Sequence, residues 1–575
     1  MGYAVHAGDA WRVTPKLTLD YSVRWDYITP MAEKFNNLTF FDPVGLNPGT
    51  GTTPATQLPG RLAYASNKWG AASYGARYPE IPFKTATAPR VGFAYTLNDK
   101  TVLRAGYGLY FGPAFYPGWG GGMSQDGLNK TVNLSESPSG TFEVPALYLE
   151  TGISAAQTGS TASIVNSAFD NGGGSISYRP LDGNRRPYSS QWSMTVEHQL
   201  PSNFFVSLSY VGTKGTHLPS SLGPLNVINP NSPQVQAIGA HLSDTFAVGQ
   251  TTALDGVLPP YPGWAAQMTG CAPTVAQALL PYPMYCGNLQ GLNEQRATSI
   301  YNSFQGKVER HLTHGLYLLA TTTVSKIYSD ASVGTQAGAD NGAGNQGNDG
   351  QFSPFLTKPR AWTITPDNVP VTAQVSAVYD LPFGVGKQFL NTAGPSNAVL
   401  GGWQVTPLFH YDYGTPISFY ASNCATSTIA PQLREGCVPG ILPGQLAQLH
   451  GRNGYNPYSG SPYLNPYAFE PSSAFTQFGY TGTGKAVTGV YGPSYQNLDV
   501  SLSKNTQIFE RVNFKFSANF FNSLNNHSLI ATQASEYGGP SAAFNTDVSK
   551  PTSFGMWNGS VSSPRTIQFA GRLEF

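Results

Sequence analysis

The alternation of apolar and polar side chains along segments of ten or more residues is the feature that most constrains this chain. In residues 17–27, the odd positions carry Leu, Tyr, Val and Trp, and the even positions carry Thr, Asp, Ser and Arg. The same period of two recurs in residues 403–413, 512–520 and 566–575. Successive side chains of a β-strand point to opposite faces, so each segment predicts a strand with one apolar and one polar face.

Two classes of protein contain such strands. In a soluble sandwich the apolar face packs into a core. In an outer-membrane barrel the apolar face meets lipid and the polar face lines the lumen. The apolar positions end in rings such as Trp25, Tyr27 and Tyr413, which is typical of an interfacial aromatic girdle. The segments also exceed the usual strand of about five or six residues. Both details favour the barrel.

Thirteen segments of the chain are predicted strands. They lie near residues 3–13, 17–28, 88–98, 101–112, 189–200, 203–216, 299–311, 315–328, 370–382, 402–420, 496–505, 511–524 and 564–575. The predicted fold is therefore all-β, an antiparallel transmembrane β-barrel.

The connections between these strands alternate in length. The tight turns are at 14–16, 98–100, 201–203 and 313–315. The long connections are 29–87, 113–188, 217–298, 329–369, 421–495 and 525–563, and a medium one, 383–401, takes the place of a short turn. Outer-membrane barrels have short periplasmic turns and long extracellular loops. A sandwich has no reason to keep this rhythm, so it is the strongest argument for a barrel.

Composition agrees with this class and excludes others. Charged residues make up 11% of the chain, against about 25% in soluble domains. A net charge of +1 lacks the basic footprint of a nucleic-acid binder. The aromatic content of 13% argues against disorder. No apolar run reaches the roughly 18 residues of a transmembrane helix, and residues 1–11 lack the features of a signal peptide.

Short motifs spread in order over nearly the whole chain carry a family resemblance. They are Trp11–Leu19 (WRVTPKLTL), Pro89–Tyr95 (PRVGFAY), Leu103–Gly108 (LRAGYG), Ser209–Leu218 (SYVGTKGTHL), Ser325–Lys326, Leu381–Gly384 (LPFG), Gly401–Trp403 with Gly414–Pro416, and Phe520–His527 (FFNSLNNH). This succession resembles Oar-like TonB-dependent transporters of the acidobacterial type.

The resemblance implies a 22-stranded barrel with an N-terminal plug, driven by the TonB complex, and an N-terminal carboxypeptidase-regulatory-like domain. On this resemblance, residues 1–575 are expected to lack the plug, the regulatory domain and about nine strands. Residues 1–575 are therefore expected to be one partial barrel domain, the C-terminal thirteen or so strands of a larger protein. Thirteen is an odd count, whereas single-chain bacterial barrels have an even one, which supports this interpretation.

The expected place is the cell outer membrane of a Gram-negative-type bacterium, and the expected function is ligand capture by extracellular loops with passage through a polar lumen. The partners would be outer-membrane lipid and an unidentified extracellular ligand. TonB would act only through a plug that this chain lacks. Two alternatives stay open: a secreted or surface-exposed soluble β protein that binds carbohydrate, and a plug-free structural barrel or adhesin.

The end of the chain predicts a contact with the barrel-assembly machinery. Ile567, Phe569, Leu573 and Phe575 alternate up to a terminal aromatic residue, as the C-terminal assembly signal of outer-membrane barrels does. The plainer interpretation is a strand that happens to end in Phe.

The four cysteines form two local pairs. Each pair lies within one predicted extracellular loop, where oxidation is expected. We predict the disulfides Cys271–Cys286 and Cys424–Cys437. Free thiols or a metal site are the rivals, but no His pair stands near these cysteines at zinc-like spacing.

Two further sets of residues are candidates for ligand contact. Aromatic residues in the long loops could stack on a flat ligand or pack together into a rigid cap: Tyr110, Phe111, Phe115, Tyr116, Trp119, Tyr261, Trp264, Tyr455 and Tyr458. Charged residues on the polar faces are predicted to face the lumen, where they could touch a plug or substrate or simply form a hydrated wall: Asp20, Arg24, Asp26, Arg90, Arg104, Lys515, Arg572 and Glu574.

Three other patterns carry little chemistry. Residues 479–486 nearly spell a P-loop, but Ala486 lacks the hydroxyl that Mg²⁺ requires and no helix follows. Residues 340–350 are rich in Asp and Asn but have no EF-hand spacing. No nucleophile accompanies His311 and His314, so we expect neither an enzyme nor a cofactor.

Overall fold

A computed structural model describes most of the chain. The residues outside the description are 1, 31, 33, 37–38, 79–80, 113–149, 151–166, 169–170, 174–184, 221–224, 287–288, 290–293, 314, 331–361, 366–367, 393, 434–435, 452–454, 486–487, 510, 531–543 and 558.

The structure is built mainly of β-strands. In chain order they are β1 (Gly2–Thr14), β2 (Leu17–Ile28), β3 (Thr39–Leu46), β4 (Pro59–Tyr64), β5 (Ala86–Asn98), β6 (Thr101–Phe111), β7 (Tyr188–Leu200), β8 (Phe204–Ser220), β9 (Glu294–Thr313), β10 (Leu316–Ser329), β11 (Thr363–Ile364), β12 (Val371–Asp380), β13 (Trp403–Asp412), β14 (Tyr495–Phe509), β15 (Val512–Phe521), β16 (Leu529–Ile530), β17 (Ser560–Val561) and β18 (Thr566–Glu574).

One large antiparallel sheet dominates. Its order is β1-β2-β5-β6-β7-β8-β9-β10-β12-β13-β14-β15-β18, and the short β11 pairs with β10 beside this path. The thirteen strands on the path are the thirteen predicted strands, so the all-β antiparallel fold is confirmed. Every strand pairs with its neighbours along the path, which places β1 and β18 at the two edges.

The strand ends differ from the prediction where the loops intervene. β13 was expected to reach residue 420 but ends at Asp412. A Cβ at Gly414 would overlap the carbonyl oxygen of Gly492, so the backbones of two loop segments come close together just after the end of β13. In the opposite direction, β9 begins at Glu294 rather than near residue 299, because it pairs with the far end of β8.

The smaller elements lie in the connections. The hairpin of β3 and β4 and the pair of β16 and β17 were not predicted, because each is short and interrupted by loop residues. Among the described residues, the α-helices are α1 (Pro233–Ile238), α2 (Trp264–Gln267), α3 (Val275–Ala278), α4 (Pro395–Leu400) and α5 (Ala425–Ile429). In the part of the chain that the structure describes, no helix combines the length and apolar character needed to span a membrane.

The hydrophobic cores lie in the long connections rather than in the sheet. One cluster, here called the loop cap, joins buried residues from 41–64, 228–289 and 430–433. Hydrogen bonds tie the same connections together: Asn47 Nδ2 donates to the hydroxyl of Tyr285 at 3.2 Å, and Ile228 N donates to the carbonyl of Gln432 at 3.1 Å. A second cluster joins residues 417–490 with 544–554.

Candidate functional site

The register of the sheet places its polar side chains on one face. Residues directly opposite each other in antiparallel strands share a face. One row runs from Asp20 to Gly92, Gly106 and Ser193 across β2, β5, β6 and β7. Followed strand by strand to β18, the pairing puts every charged residue of the predicted lumen set on this face: Asp20, Arg24, Asp26, Arg90, Arg104, Lys515, Arg572 and Glu574.

Many charged side chains of this polar face form ion pairs. Asp26 accepts from Arg24 at 2.9 Å within β2. Glu574 accepts from Lys515 at 3.1 Å across β15 and β18. On β9, Lys307 lies 3.0 Å from Glu309. Pairing of this kind is expected of a hydrated wall, where opposite charges stand next to each other along and between strands.

The opposite face carries an exposed apolar band. Met194, Tyr210, Phe304 and Val324 form one lateral row across β7, β8, β9 and β10. Each of the four side chains is between 44% and 53% exposed. A soluble protein rarely leaves so long an apolar row open to water, whereas lipid contact requires it.

Stacked rings lie at the loop end of this apolar face. Tyr3 and Tyr27 face each other from β1 and β2, with ring centroids 6.4 Å apart. Trp25 stacks next to Tyr27 at 6.1 Å and donates its indole N–H to the carbonyl of Lys84 at 2.8 Å. Amphipathic rings that pack on apolar neighbours and keep a polar tip engaged are typical of a membrane interface.

The four residues of the expected assembly signal lie on or directly after the edge strand β18. Ile567, Phe569 and Leu573 lie on the apolar face of the sheet and are exposed. Phe575 follows the strand and is 93% exposed. The structure therefore leaves the terminal ring and its alternating neighbours accessible, and recognition by the assembly machinery stays a prediction.

Both predicted disulfides are present. Cys271–Cys286 and Cys424–Cys437 each have Cα atoms 5.6 Å apart, in the usual range of about 4.4–6.8 Å. The first bond stands at the border of the loop cap, and the second lies inside the second cluster. Each therefore fixes a connection that also has a hydrophobic core.

Two of the aromatic candidates are buried, as packing into a rigid cap requires. Trp264 begins α2, is 0% exposed, and donates its indole N–H to the carbonyl of Pro283 at 2.9 Å. Tyr261 is also buried, and burial raises the pKa of its hydroxyl. Both side chains belong to the buried hydrophobic cluster of the loop cap rather than to its exposed surface.

Other aromatic candidates remain accessible. Tyr458 is 81% exposed, and Tyr467 of the same loop is 84% exposed. Each follows an Asn-Pro pair whose Asn side chain accepts the Tyr backbone N–H, from Tyr458 at 3.0 Å and from Tyr467 at 3.1 Å. Both exposed rings thus lie in short turns of the same design. Tyr455 is half-buried next to Tyr463.

The remaining aromatic candidates lie at or beyond the end of β6. Tyr110 stands on the polar face, where the guanidinium of Arg90 lies 4.5 Å from its ring centroid. Phe111 packs against Tyr188 at 5.4 Å. Phe115, Tyr116 and Trp119 lie outside the described residues, as does the Asp/Asn-rich segment 340–350.

The glycine-rich segment that nearly spells a P-loop directs its amides inward. Thr483 N and its hydroxyl donate to Glu470 at 3.1 and 2.8 Å, and Gly484 N donates to the carbonyl of Val438 at 2.9 Å. Gly440 N also donates to Glu470, at 2.7 Å. Burial opposes ionisation of Glu470, but these hydrogen bonds outweigh it and lower its pKa. The loop thus carries a buried carboxylate where a P-loop would hold phosphate.

One group of potential metal ligands was not predicted. His241, Asp244 and Asp255 each offer one ligand atom, and these atoms lie within 4.8 Å of one another. The hydrogen bond from the ring of His241 to Asp244, together with the charge of both carboxylates, raises the pKa of His241. Asp255 lies fourteen positions after His241, so no familiar spacing marks the group in the sequence.

Nearly the whole chain matches a known family. Residues 1–568 match the family described as "Outer membrane beta barrel domain". The chain belongs to this family, and its location is the bacterial outer membrane. The Oar-like subtype rests on the motifs alone. No curated protein matches the sequence.

Solved structures of outer-membrane receptors are similar to this chain at low identity. The outer membrane transporter YddB from Escherichia coli has 12% identity and a TM-score of 0.37, with 100% of this chain and 54% of that chain covered. The ferric-catecholate import receptor Fiu from K12 E. coli has 10% identity and a TM-score of 0.36, covering 100% and 44%.

The ferripyoverdine receptor of Pseudomonas aeruginosa has 10% identity and a TM-score of 0.37, covering 100% and 38%. This chain therefore spans about half or less of the length of these structures. What those proteins bind or import is a property of those proteins.

Proposed function

We propose that this chain forms part of the wall and the outer loops of a TonB-dependent transport or receptor protein. The observation that carries the proposal is the division of the sheet into a continuous polar face and an exposed apolar face across thirteen strands. In the membrane, the apolar face contacts lipid and the polar face lines a hydrated path for a ligand.

The long connections would capture the ligand. The loop cap and the second cluster give these connections rigid cores, and Tyr458 and Tyr467 stand out from them. The motif resemblance supplies the TonB-dependent subtype. TonB would act through a plug, and the barrel-assembly machinery would recognise the end of β18 at Phe575. The wall itself performs no chemistry.

A matched pair of cysteine variants tests the lining role. Thr323 and Val324 are adjacent in β10, with Thr323 on the polar face and Val324 on the apolar face. All four native cysteines are in disulfides, so each variant adds a single free thiol. In vesicles, a water-soluble maleimide should label Thr323→Cys, and a lipid-phase quencher should reach only a probe on Val324→Cys.

Two outcomes would contradict the proposal. The first is labelling of Val324→Cys by the water-soluble reagent as fast as Thr323→Cys. The second is a monodisperse product without detergent and without heat-modifiable migration, which would favour the soluble β protein. A channel-free adhesin would show the lipid contact at Val324 but no labelling of Thr323→Cys from water.

A further inference from the structure

A recess of about 520 Å³ lies on the polar face of β1, β2 and β5–β8. Its volume is in the range of about 300–1,000 Å³ that small-molecule sites occupy. Four glycines form its floor, at strand positions that belong to the polar face: Gly8, Gly92, Gly106 and Gly108. Glycine weakens a strand, and it often marks a place where a ligand or another backbone approaches closely.

The middle of this floor is open above the backbone. A Cβ at Gly92 would have the carbonyl oxygen of Ala105 as its nearest neighbour, at 3.5 Å. A Cβ at Gly106 would have the carbonyl oxygen of Val91, at 3.7 Å. The packing of the wall therefore does not require glycine at either position, and larger residues there would fill the recess.

Two charged lining residues on the polar face of the recess form no ion pair with any described residue, and the third charged lining residue, Asp9, is at a position of the opposite face. Asp20 pairs directly with Gly92 in the sheet, two residues from Arg90 along β5. Among the described residues, neither Asp20 nor Arg90 forms a salt bridge, whereas charged residues elsewhere on the same face do. Both are lining residues of the recess. A carboxylate and a guanidinium thus occupy diagonal positions of neighbouring strands, each without a salt bridge to the described residues.

Tyr110 positions the guanidinium. Its ring centroid lies 4.5 Å from Cζ of Arg90, a cation–π contact that leaves the N–H edges of the guanidinium available. A Cβ at Gly108 would lie 2.7 Å from the same ring, so glycine is needed there for the ring to occupy this place. The planar guanidinium matches a carboxylate through two parallel hydrogen bonds.

We propose that this recess binds a zwitterion of the amino-acid or short-peptide class. The ligand carboxylate would bind Arg90, its ammonium group would bind Asp20, and its apolar part would lie against Tyr110 and the glycine floor. Gln191, Ser193 and Thr213 line the recess and supply neutral hydrogen-bonding groups. This proposal rests on the hydrated polar face described under the proposed function.

Tri-alanine is the probe, and calorimetry of the full chain in detergent is the measurement. We expect tri-alanine to bind, and acetyl-tri-alanine and tri-alanine amide each to bind about tenfold or more weakly, because each lacks one charge. Arg90→Gln and Asp20→Asn should each weaken tri-alanine binding by a similar factor. Gly106→Leu should remove binding while the protein keeps its heat-modifiable migration.

Lys307→Gln is the matched control, since Lys307 lies on the same face but pairs with Glu309 away from the recess. Equal affinity for tri-alanine and acetyl-tri-alanine would overturn the proposal in favour of a simple anion site. Binding that survives Gly106→Leu, or falls as far with Lys307→Gln as with Arg90→Gln, would also overturn it. Labelling of Thr323→Cys is independent of these results, so failure of the zwitterion site and failure of the hydrated wall are distinguishable.

Discussion

Replacing Trp264 by Ala separates a packing role from a ligand-contact role. The side chain is fully buried in the loop cap, with its ring edge-on to Phe246 at 5.6 Å. Its indole N–H donates to the carbonyl of Pro283, which also accepts from Gln277 at 3.1 Å. The substitution therefore removes a large apolar surface without leaving this carbonyl unpaired.

The expected loss is about 4 kcal/mol of local stability. Burying roughly 200 Å² of aromatic surface at about 25 cal/mol per Å² contributes about 5 kcal/mol as an upper estimate. Measured Trp→Ala changes in cores range over about 3–5 kcal/mol, including the cavity left behind. The substitution adds no cost for an unpaired carbonyl, because the carbonyl of Pro283 still accepts a hydrogen bond from Gln277.

Amide hydrogen exchange across residues 225–286 measures the opening of the loop cap directly. Trp264→Ala should speed exchange there by roughly a thousandfold, which corresponds to about 4 kcal/mol. Tyr458→Ala is the matched control, because that ring is 81% exposed and its removal should change stability by less than about 0.5 kcal/mol. A change below about 1 kcal/mol for Trp264→Ala would refute the packing role.

Three other perturbations have defined outcomes. Replacing Cys271 and Cys286 together by Ala opens a loop of sequence separation 15 and should lower loop-cap stability by about 3 kcal/mol in denaturant melts. Ionised Glu470 stabilises its loop fully above its unfolded pKa of 4.5, and this stability is lost as pH falls through the lower folded pKa. Glu470→Gln should therefore remove the acid dependence of proteolysis in residues 436–485; an unchanged pH profile would count against the buried carboxylate. Deleting Phe575 should reduce the heat-modifiable barrel in outer-membrane fractions severalfold, whereas Phe575→Tyr should assemble normally.

The strands could be predicted from the local sequence because each residue of a membrane wall faces either lipid or water. That environment imposes a period of two on every strand, independent of its partners. The lengths of the connections are equally local. The thirteen strands and their order, and the two disulfides within single loops, therefore follow from the sequence alone.

Burial in the loops could not be predicted in this way. Trp264 and Tyr458 are both aromatic residues in Pro/Gly-rich segments, yet one is 0% and the other 81% exposed. Trp264 is buried in a cluster that joins its own connection with residues 41–64 and 430–433. Such a cluster depends on how loops hundreds of residues apart come together, and no local alternation in the sequence predicts it.

The recess shows the same division most clearly. The sequence by itself determined that Asp20, Gly92, Gly106 and Arg90 lie on the polar faces of their strands, because successive side chains of a strand point to opposite faces. Only the tertiary structure decided that Asp20, Gly92 and Gly106 share one row, and that Arg90 lies above Tyr110. Register sets which residues of separate strands become neighbours, and it is fixed by pairing along the whole sheet rather than by any single segment.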